Sequence, residues 1–252
     1  MQRITTAALS LALAALVSAN ATAQQAPAAP PAPAAPAAPQ DGRPAIAVLD
    51  FDLGLTLGQQ HDDYEALRRG LAALTTGELT ANPAIRVVER TQLQQLLQEQ
   101  NLGREGRLDP QTMSRIGKII GATYMVTGTF FDNRGSLRVD ARIFNVETSE
   151  ILRTQSVTGR MDNLYDMVPR LAGQLMRDAN LPPLERRAAN EFRQANPAPP
   201  TQAVMAYSRA VLYADRGDSN RAVEQYHRAL QIFPSYTQAR TACNSLQAGA
   251  CS

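Results

Sequence analysis

The sequence predicts a mixed α/β fold (α+β): helices packed on a mixed sheet that ends in an antiparallel meander, followed by a small all-α helical hairpin. Three observations predict it. Within residues 43–180, buried strand-like runs alternate with helical stripes as far as Gly121, after which strand-like runs follow one another with only turn residues between them. Residues 203–246 are helical in pattern throughout. At 44% hydrophobic residues over 252 positions, the chain has enough apolar surface for a real core.

Each element has its own signal. Ile46 to Phe51, within AIAVLDFDLG, reads as a buried first strand, and Asp62 to Leu79 as a helix with Tyr64, Leu67, Leu71 and Leu74 on one stripe. Ile85 to Arg90 reads as a second strand, followed by a helix carrying Leu93, Leu96 and Leu97. Asp109 before Pro110 is an N-cap with a first-turn proline, opening a helix with Met113, Ile116 and Ile120 inward that Gly121 stops. Thr123–Phe131, Leu137–Val146 and Ile151–Thr158 are three strands joined at Asn133-Arg134-Gly135 and Glu147-Thr148-Ser149. In the middle one, Leu137, Val139, Ala141 and Ile143 alternate with Arg138, Asp140 and Arg142, which gives one core face and one solvent face. A helix with Leu164, Val168, Leu171 and Leu175 closes the domain, and residues 181–202 form a linker with a short helical stretch near 184–194.

The amino terminus points to export. Arg3, an apolar run from Ala7 to Val17 and small residues at Ala19, Ala21 and Ala23 make residues 1–23 a secretory signal peptide. The run is too short for a span that needs about 20 residues. No Cys stands beside the cleavage region, so the exported chain is expected to be unlipidated, in the periplasm, with outer-membrane association open. Residues 24–42, of which 26–40 are almost wholly Ala and Pro, cannot bury a core and read as an extended, semi-rigid tether. The net charge of +2 gives no case for polyanion binding, so no nucleic-acid partner is expected. Cys243 and Cys251 are the only cysteines; an exported setting permits a bond between them, as a staple of the tail. Eight positions along one helix would separate them by about 12 Å, so a bond requires the helix to end first, near Gly249.

Two resemblances emerge from specific residues. Ala206, Ala210, Tyr213, Gly217, Asp218, Ala222, Tyr226, Ala229, Leu230 and Pro234 fall at the spacings of a tetratricopeptide repeat, so 203–252 resembles one such repeat with Ser235–Leu246 as a capping helix. A single repeat cannot bury its own faces and must pack on the first domain, on its cap or on another chain. The runs IRVVERTQLQQLLQEQNL (85–102), Asp109-Pro110-Gln111-Thr112, IGKIIGATYMVTGTF (116–130) and VDARIFNVETSEIL (139–152) resemble the globular domain of the curli-secretion, CsgG-type family. That resemblance implies a non-enzymatic envelope protein, related in fold to lipoprotein activators of peptidoglycan synthases and to the amino-terminal domain of TolB-type proteins. Channel members of the family insert membrane-spanning hairpins where this chain has only Asp132–Gly135 and Gly159–Asn163. A pore is therefore not expected.

The chemistry-bearing residues allow sharper readings. Asp50-Phe51-Asp52 after an apolar run is how an Asp-dependent phosphatase presents its nucleophile. Such an enzyme also needs a lysine near the phosphate and a second acidic strand end for Mg²⁺, whereas the sole lysine, Lys118, lies on a helix. Asp50 and Asp52 read better as a strand end meeting solvent, and His61-Asp62-Asp63 as a helix start. His227 reads as a surface residue, and two histidines with two terminal cysteines cannot assemble a metal set, so no cofactor or metal is expected. Glu89-Arg90 is expected to fix its strand-to-helix turn through backbone hydrogen bonds. Arg138, Arg142 and Arg153 form a candidate basic stripe on the exposed sheet face, or pair with Asp140 and nearby acids. Tyr207, Arg209 and Tyr213 are candidates for a concave peptide surface, with packing favoured for Tyr213.

Together these readings predict a non-enzymatic periplasmic assembly or secretion scaffold that binds an envelope protein, with self-association as a further option and no small-molecule substrate. The alternatives are a regulator of a peptidoglycan synthase and a secreted Asp-dependent phosphatase.

Overall fold

A computed structural model of the chain describes residues 42–54, 61–99 and 108–251, and these lie in one compact unit. The expected leader at 1–23, all of the tether but Gly42, and the end of the 85–102 motif fall outside the described residues.

Five strands form one mixed sheet in the order β2-β1-β3-β4-β5. They are β1 (Ala45–Leu53), β2 (Arg86–Val87), β3 (Tyr124–Asn133), β4 (Ser136–Asn145) and β5 (Glu150–Arg160). β1 runs parallel to β2 and β3, and β3, β4 and β5 form the expected antiparallel meander. Arg134 and Gly135 make the tight β3–β4 turn, both at positive φ, 53° and 87°, as a two-residue hairpin of this type requires. The expected second strand shrinks to two residues, because Val88 already leaves the ladder after its N–H donates to the Ile46 carbonyl.

Helices cover both faces of the sheet. α1 (His61–Thr80) and α4 (Leu164–Asp178) lie on one, where Ile46, Val48, Phe51, Val139 and Ile143 meet Leu67, Leu71, Leu171 and Leu175. α2 (Arg90–Glu99) and α3 (Pro110–Ile119) lie on the other, where Ala47, Leu49, Met125 and Phe144 meet Leu93, Leu97, Met113 and Ile116. Asp109 caps α3 as expected, accepting from the Gln111 and Thr112 amides at 3.0 Å.

One irregularity decides where β1 aims its carboxylates. Val48 is paired with Val126 but Phe51 with Gly128, so β1 holds one extra residue between them, a bulge. Strict alternation would send Leu49 and Phe51 to one face and Asp50 to the other. Instead Phe51 joins the α1/α4 core, under Gly128, where a Cβ would come within 2.4 Å of its ring. Leu49 packs on the α2/α3 side, and Asp50 and Asp52 turn towards that side with it.

The carboxy-terminal part is helical. α5 (Arg186–Ala195) lies within the expected linker, and α6 (Thr201–Asp215) and α7 (Ser219–Ile232) form the expected antiparallel hairpin around Gly217, whose φ is +76°. α8 (Thr237–Leu246) caps it, and a disulfide joins Cys243 to Cys251 beyond that helix's end. The linker is fastened to the first domain: Asn82 donates to the Pro182 carbonyl at 2.8 Å, and the Thr201 hydroxyl donates to the Asp162 carbonyl at 2.7 Å. The hairpin buries its remaining face on α1. Gly70 is the contact point, since a Cβ there would lie 1.8 Å from the Ser208 Oγ of α6.

Tyr64, at the start of α1, donates its hydroxyl to Asp132 at the end of β3. Burial first, and the Asp132 carboxylate second, push its phenol up from 10.0 to about 12. A group that binds its proton more tightly when folded stabilises fully below the unfolded value and loses that contribution as pH rises through the folded one. Stability is therefore expected to fall between pH 10.0 and about 12. Chemical denaturation across this range should show a shallower decline for Tyr64→Phe than for the parent chain, the residual slope coming from the buried Tyr207 and Tyr236.

Candidate functional site

The short β2 leaves the outer edge of β1 without a strand partner beyond Ile46, and arginines occupy it. Arg68 of α1 donates to the Phe51 carbonyl at 3.0 Å and to Asp52 at 3.3 Å. Arg90, the first residue of α2, donates to Asp50 at 3.0 Å and to both oxygens of Asp215, at 2.9 and 2.7 Å. Arg69 reaches the same Asp215 at 3.0 Å and Glu65 at 2.9 Å. Asp215 closes α6, so one guanidinium ties the first strand, the α2 start and the helical hairpin together. Burial opposes the charge on Arg90, but the Asp215 and Asp50 carboxylates outweigh it and hold its pKa above the ordinary arginine value. Burial likewise opposes the Glu65 charge, and Arg69 and Arg68 outweigh it, holding the carboxyl below its usual range.

Beside this cluster lies a groove of about 230 Å³, smaller than the roughly 300–1,000 Å³ of small-molecule pockets. Its floor is the sheet at Thr127, Thr129 and Arg142, and its wall is Leu97, Leu108 and Met113. The α2/α3 layer covers only the half of this sheet face around Met125 and Phe144, so the half carrying Arg138, Asp140 and Arg142 stays open. Ile151 stands on the groove's rim at 47% exposure, the one large apolar side chain left exposed among the described residues. The Arg142 side chain makes no hydrogen bond or ion pair with any described residue.

The structure redistributes the residues singled out from sequence. Asp50 and Asp52 do not simply meet solvent, because helix arginines claim both. Arg90 binds carboxylates rather than backbone groups, while the Glu89 carbonyl accepts from the Leu93 amide at 3.2 Å. Arg138 and Arg142 share the open face, where Arg138 pairs with Asp140 at 2.8 Å. Arg153 is not brought to them: it lies opposite Ile143, whose side chain belongs to the α1/α4 core, so it points to the other face. Tyr207 is buried between Tyr226 and Tyr236, with ring centroids 5.9 and 5.2 Å away, and offers no binding surface. Arg209 is held by Asp63 of α1, and Tyr213 lies under the Arg221 guanidinium at 5.0 Å. Asp215 and the arginine pair Arg68-Arg69 went unremarked in the sequence. Their only signal is position, Asp215 two residues before the Gly217 turn and the arginines one turn after Glu65.

Asp50 accepts from Arg90 at 3.0 Å and from Gln94 at 3.4 Å on one carboxylate oxygen, and Arg69 approaches the other at 3.7 Å. No group of three or more potential metal ligands occurs among the described residues. Removing one member of a buried charge network strands the others, which costs about 3 kcal/mol. Arg90→Ala and Asp215→Ala are each expected to lower stability by about that amount. In urea denaturation the double variant should lose clearly less than the sum of the two, the mark of one shared interaction.

Comparison with known proteins gives matches to parts of the chain. Residues 32–136 match the family model described as the curli production assembly/transport component CsgG. The Tol-Pal system protein TolB of Pseudomonas entomophila (strain L48) is 36% identical over 64 residues, 25% of this chain and 15% of that protein. The chain thus spans only a small part of that relative's length. Among solved structures, TolB from Acinetobacter baumannii aligns with a TM-score of 0.39 at 13% identity, over 55% of this chain and 29% of that one. The LpoB C-terminal domain from Salmonella enterica aligns with a TM-score of 0.32 at 19% identity, over 48% and 87% of the two chains.

Proposed function

We propose that the chain is a non-enzymatic scaffold of the bacterial cell envelope, of the CsgG type, that holds a protein partner in the periplasm and does not itself form a pore. The CsgG match at residues 32–136 supports the envelope setting. So does the TolB relative, named for the Tol-Pal system. The two-residue Arg134-Gly135 turn joins β3 directly to β4, with no room there for a spanning hairpin, and no helix among the described residues is long and apolar enough to cross a membrane.

The observation that carries the binding reading is the groove itself. It pairs the guanidinium of Arg142, which has no partner among the described residues, with an exposed isoleucine, Ile151, on an uncovered sheet face. Such a combination suits a protein segment with an apolar side chain and a carboxylate nearby, since arginine is among the residues that carry most interface energy and pairs strongly with carboxylates. The helical hairpin, read as a tetratricopeptide unit, serves this scaffold by bracing α1 rather than by offering a concave peptide surface.

Cross-linking followed by affinity capture from intact cells tests the reading. The parent chain is expected to retain an envelope protein that Arg142→Glu with Ile151→Asp loses, both variants remaining folded. Recovery of the same proteins by both would remove the groove from the account, and a peptidoglycan synthase as the retained protein would select the regulator reading. The purified chain is also expected to leave generic phosphoesters intact in the presence of Mg²⁺. Turnover that Asp50→Asn abolishes would overturn the non-enzymatic reading.

A further inference from the structure

We infer that α5 is a pH-sensitive clasp with Glu78 as its sensor: while Glu78 holds its proton, α5 closes where the end of α1 meets the start of α4, and loss of that proton loosens α5. The inference rests on the burial of Glu78 and on the slight attachment of α5, not on the envelope reading, so its failure would leave that reading standing.

Along α1, Leu67, Leu71 and Leu74 form the buried stripe, and the same helical spacing continues to position 78, where the chain has a glutamate. Glu78 is 7% exposed and is the one charged residue among the buried described residues. It makes no hydrogen bond or ion pair with a described residue. A buried carboxyl without a partner costs far more charged than protonated. An acid in a leucine's place is the kind of local conflict that chains carry at functional positions.

Two groups from the packed helices act on Glu78: Tyr165 of α4 and Arg193 of α5. At the neighbouring Gly77, α8 presents Gln238, which is neutral. Burial raises the Glu78 carboxyl above its ordinary 4.5, and Arg193 opposes the rise only in part. Burial first, and Glu78 second, raise the Tyr165 phenol above 10.0, so it keeps its proton, and the arginine keeps its charge. Glu78 alone therefore changes state between acid and neutral pH. A carboxyl raised in the folded state contributes stability that is complete below 4.5 and is lost as pH rises through the folded value. The loss falls on α5, which buries the fewest residues of any α-helix, Ala189 alone. Pro182 and Pro183 precede it and Pro197, Pro199 and Pro200 follow it, so neither flank can extend the helix. Segments with few buried apolar groups open at low free energy. The hydrogen bonds of Pro182 and Thr201 lie outside α5, and Arg90 holds Asp215 separately, so α5 can open without freeing the helical hairpin.

Amide hydrogen exchange on the full chain, corrected for the intrinsic chemical rate, reads α5 against the sheet. From pH 4.5 to neutrality, α5 is expected to lose protection while β3 and β4 keep theirs. Glu78→Gln, which mimics the protonated carboxyl, should hold α5 protection level across that range, and Glu78→Leu, which completes the apolar stripe, should do the same. Arg193→Gln should match the parent chain at the acid end and lose more protection at neutrality, because the charged carboxylate then lacks its counter-charge. A level α5 profile in the parent chain, an unchanged pH dependence in Glu78→Gln, equal loss in β3 and β4, or an Arg193→Gln profile identical to the parent's would each overturn the proposal.

Discussion

The two parts of the chain meet in the guanidinium of Arg90. It is planar and always charged, with donors fixed in a fork, so it can hold two carboxylates from different elements at once. It holds Asp50 from the first strand and Asp215 from the end of α6. Arg69 closes the same circle from α1. Charges removed from water in this way add little net stability, but they penalise any arrangement that leaves one of them unmatched. That penalty fixes α6 against α1 in one register, with Gly70 giving the space for Ser208. A helical hairpin that cannot bury its own faces thereby acquires a neighbour, and the α/β domain and hairpin become one body.

The bulge in β1 and the brevity of β2 are the conditions for that arrangement. A regular β1 would have directed Asp50 into the apolar layer beneath α1 and α4, where a carboxylate without a partner is costly. A longer β2 would have filled the edge that Arg68 now caps. The two irregularities together convert a strand end that resembles a nucleophile loop into an anchoring point for three arginines. They also leave the adjacent groove open, because α2 and α3 cover only half of their sheet face. The proposed binding surface lies beside these paired charges, where Arg142 and Ile151 line the groove.

Much of the fold was legible in the sequence because local periodicity and turn chemistry carry it. The Tyr64, Leu67, Leu71 and Leu74 stripe, the Asp109-Pro110 start and the alternating Leu137–Ile143 strand depend on contacts close in sequence, which a single chain displays directly. The site was less legible. Arg209 and Asp63 stand 146 positions apart and Arg90 and Asp215 stand 125 apart, and such pairings leave no local trace. The basic stripe failed at Arg153 for a related reason, since its face depends on the register with β4. Tyr207 looked exposed on a helix whose buried side is settled only by the cap and by Tyr236.

The sequence alone determined the order of strands and helices, the meander, the helical hairpin and its need for a neighbour, because these follow from propensity, capping and periodicity over a few residues. The tertiary structure alone decided what Asp50 meets. Its neighbours in the chain made it a candidate nucleophile, but one extra residue in β1 and two arginines from separate helices gave it a structural partner. Charge pairing between distant elements is set by how those elements pack, and packing is a property of the whole chain rather than of any stretch of it.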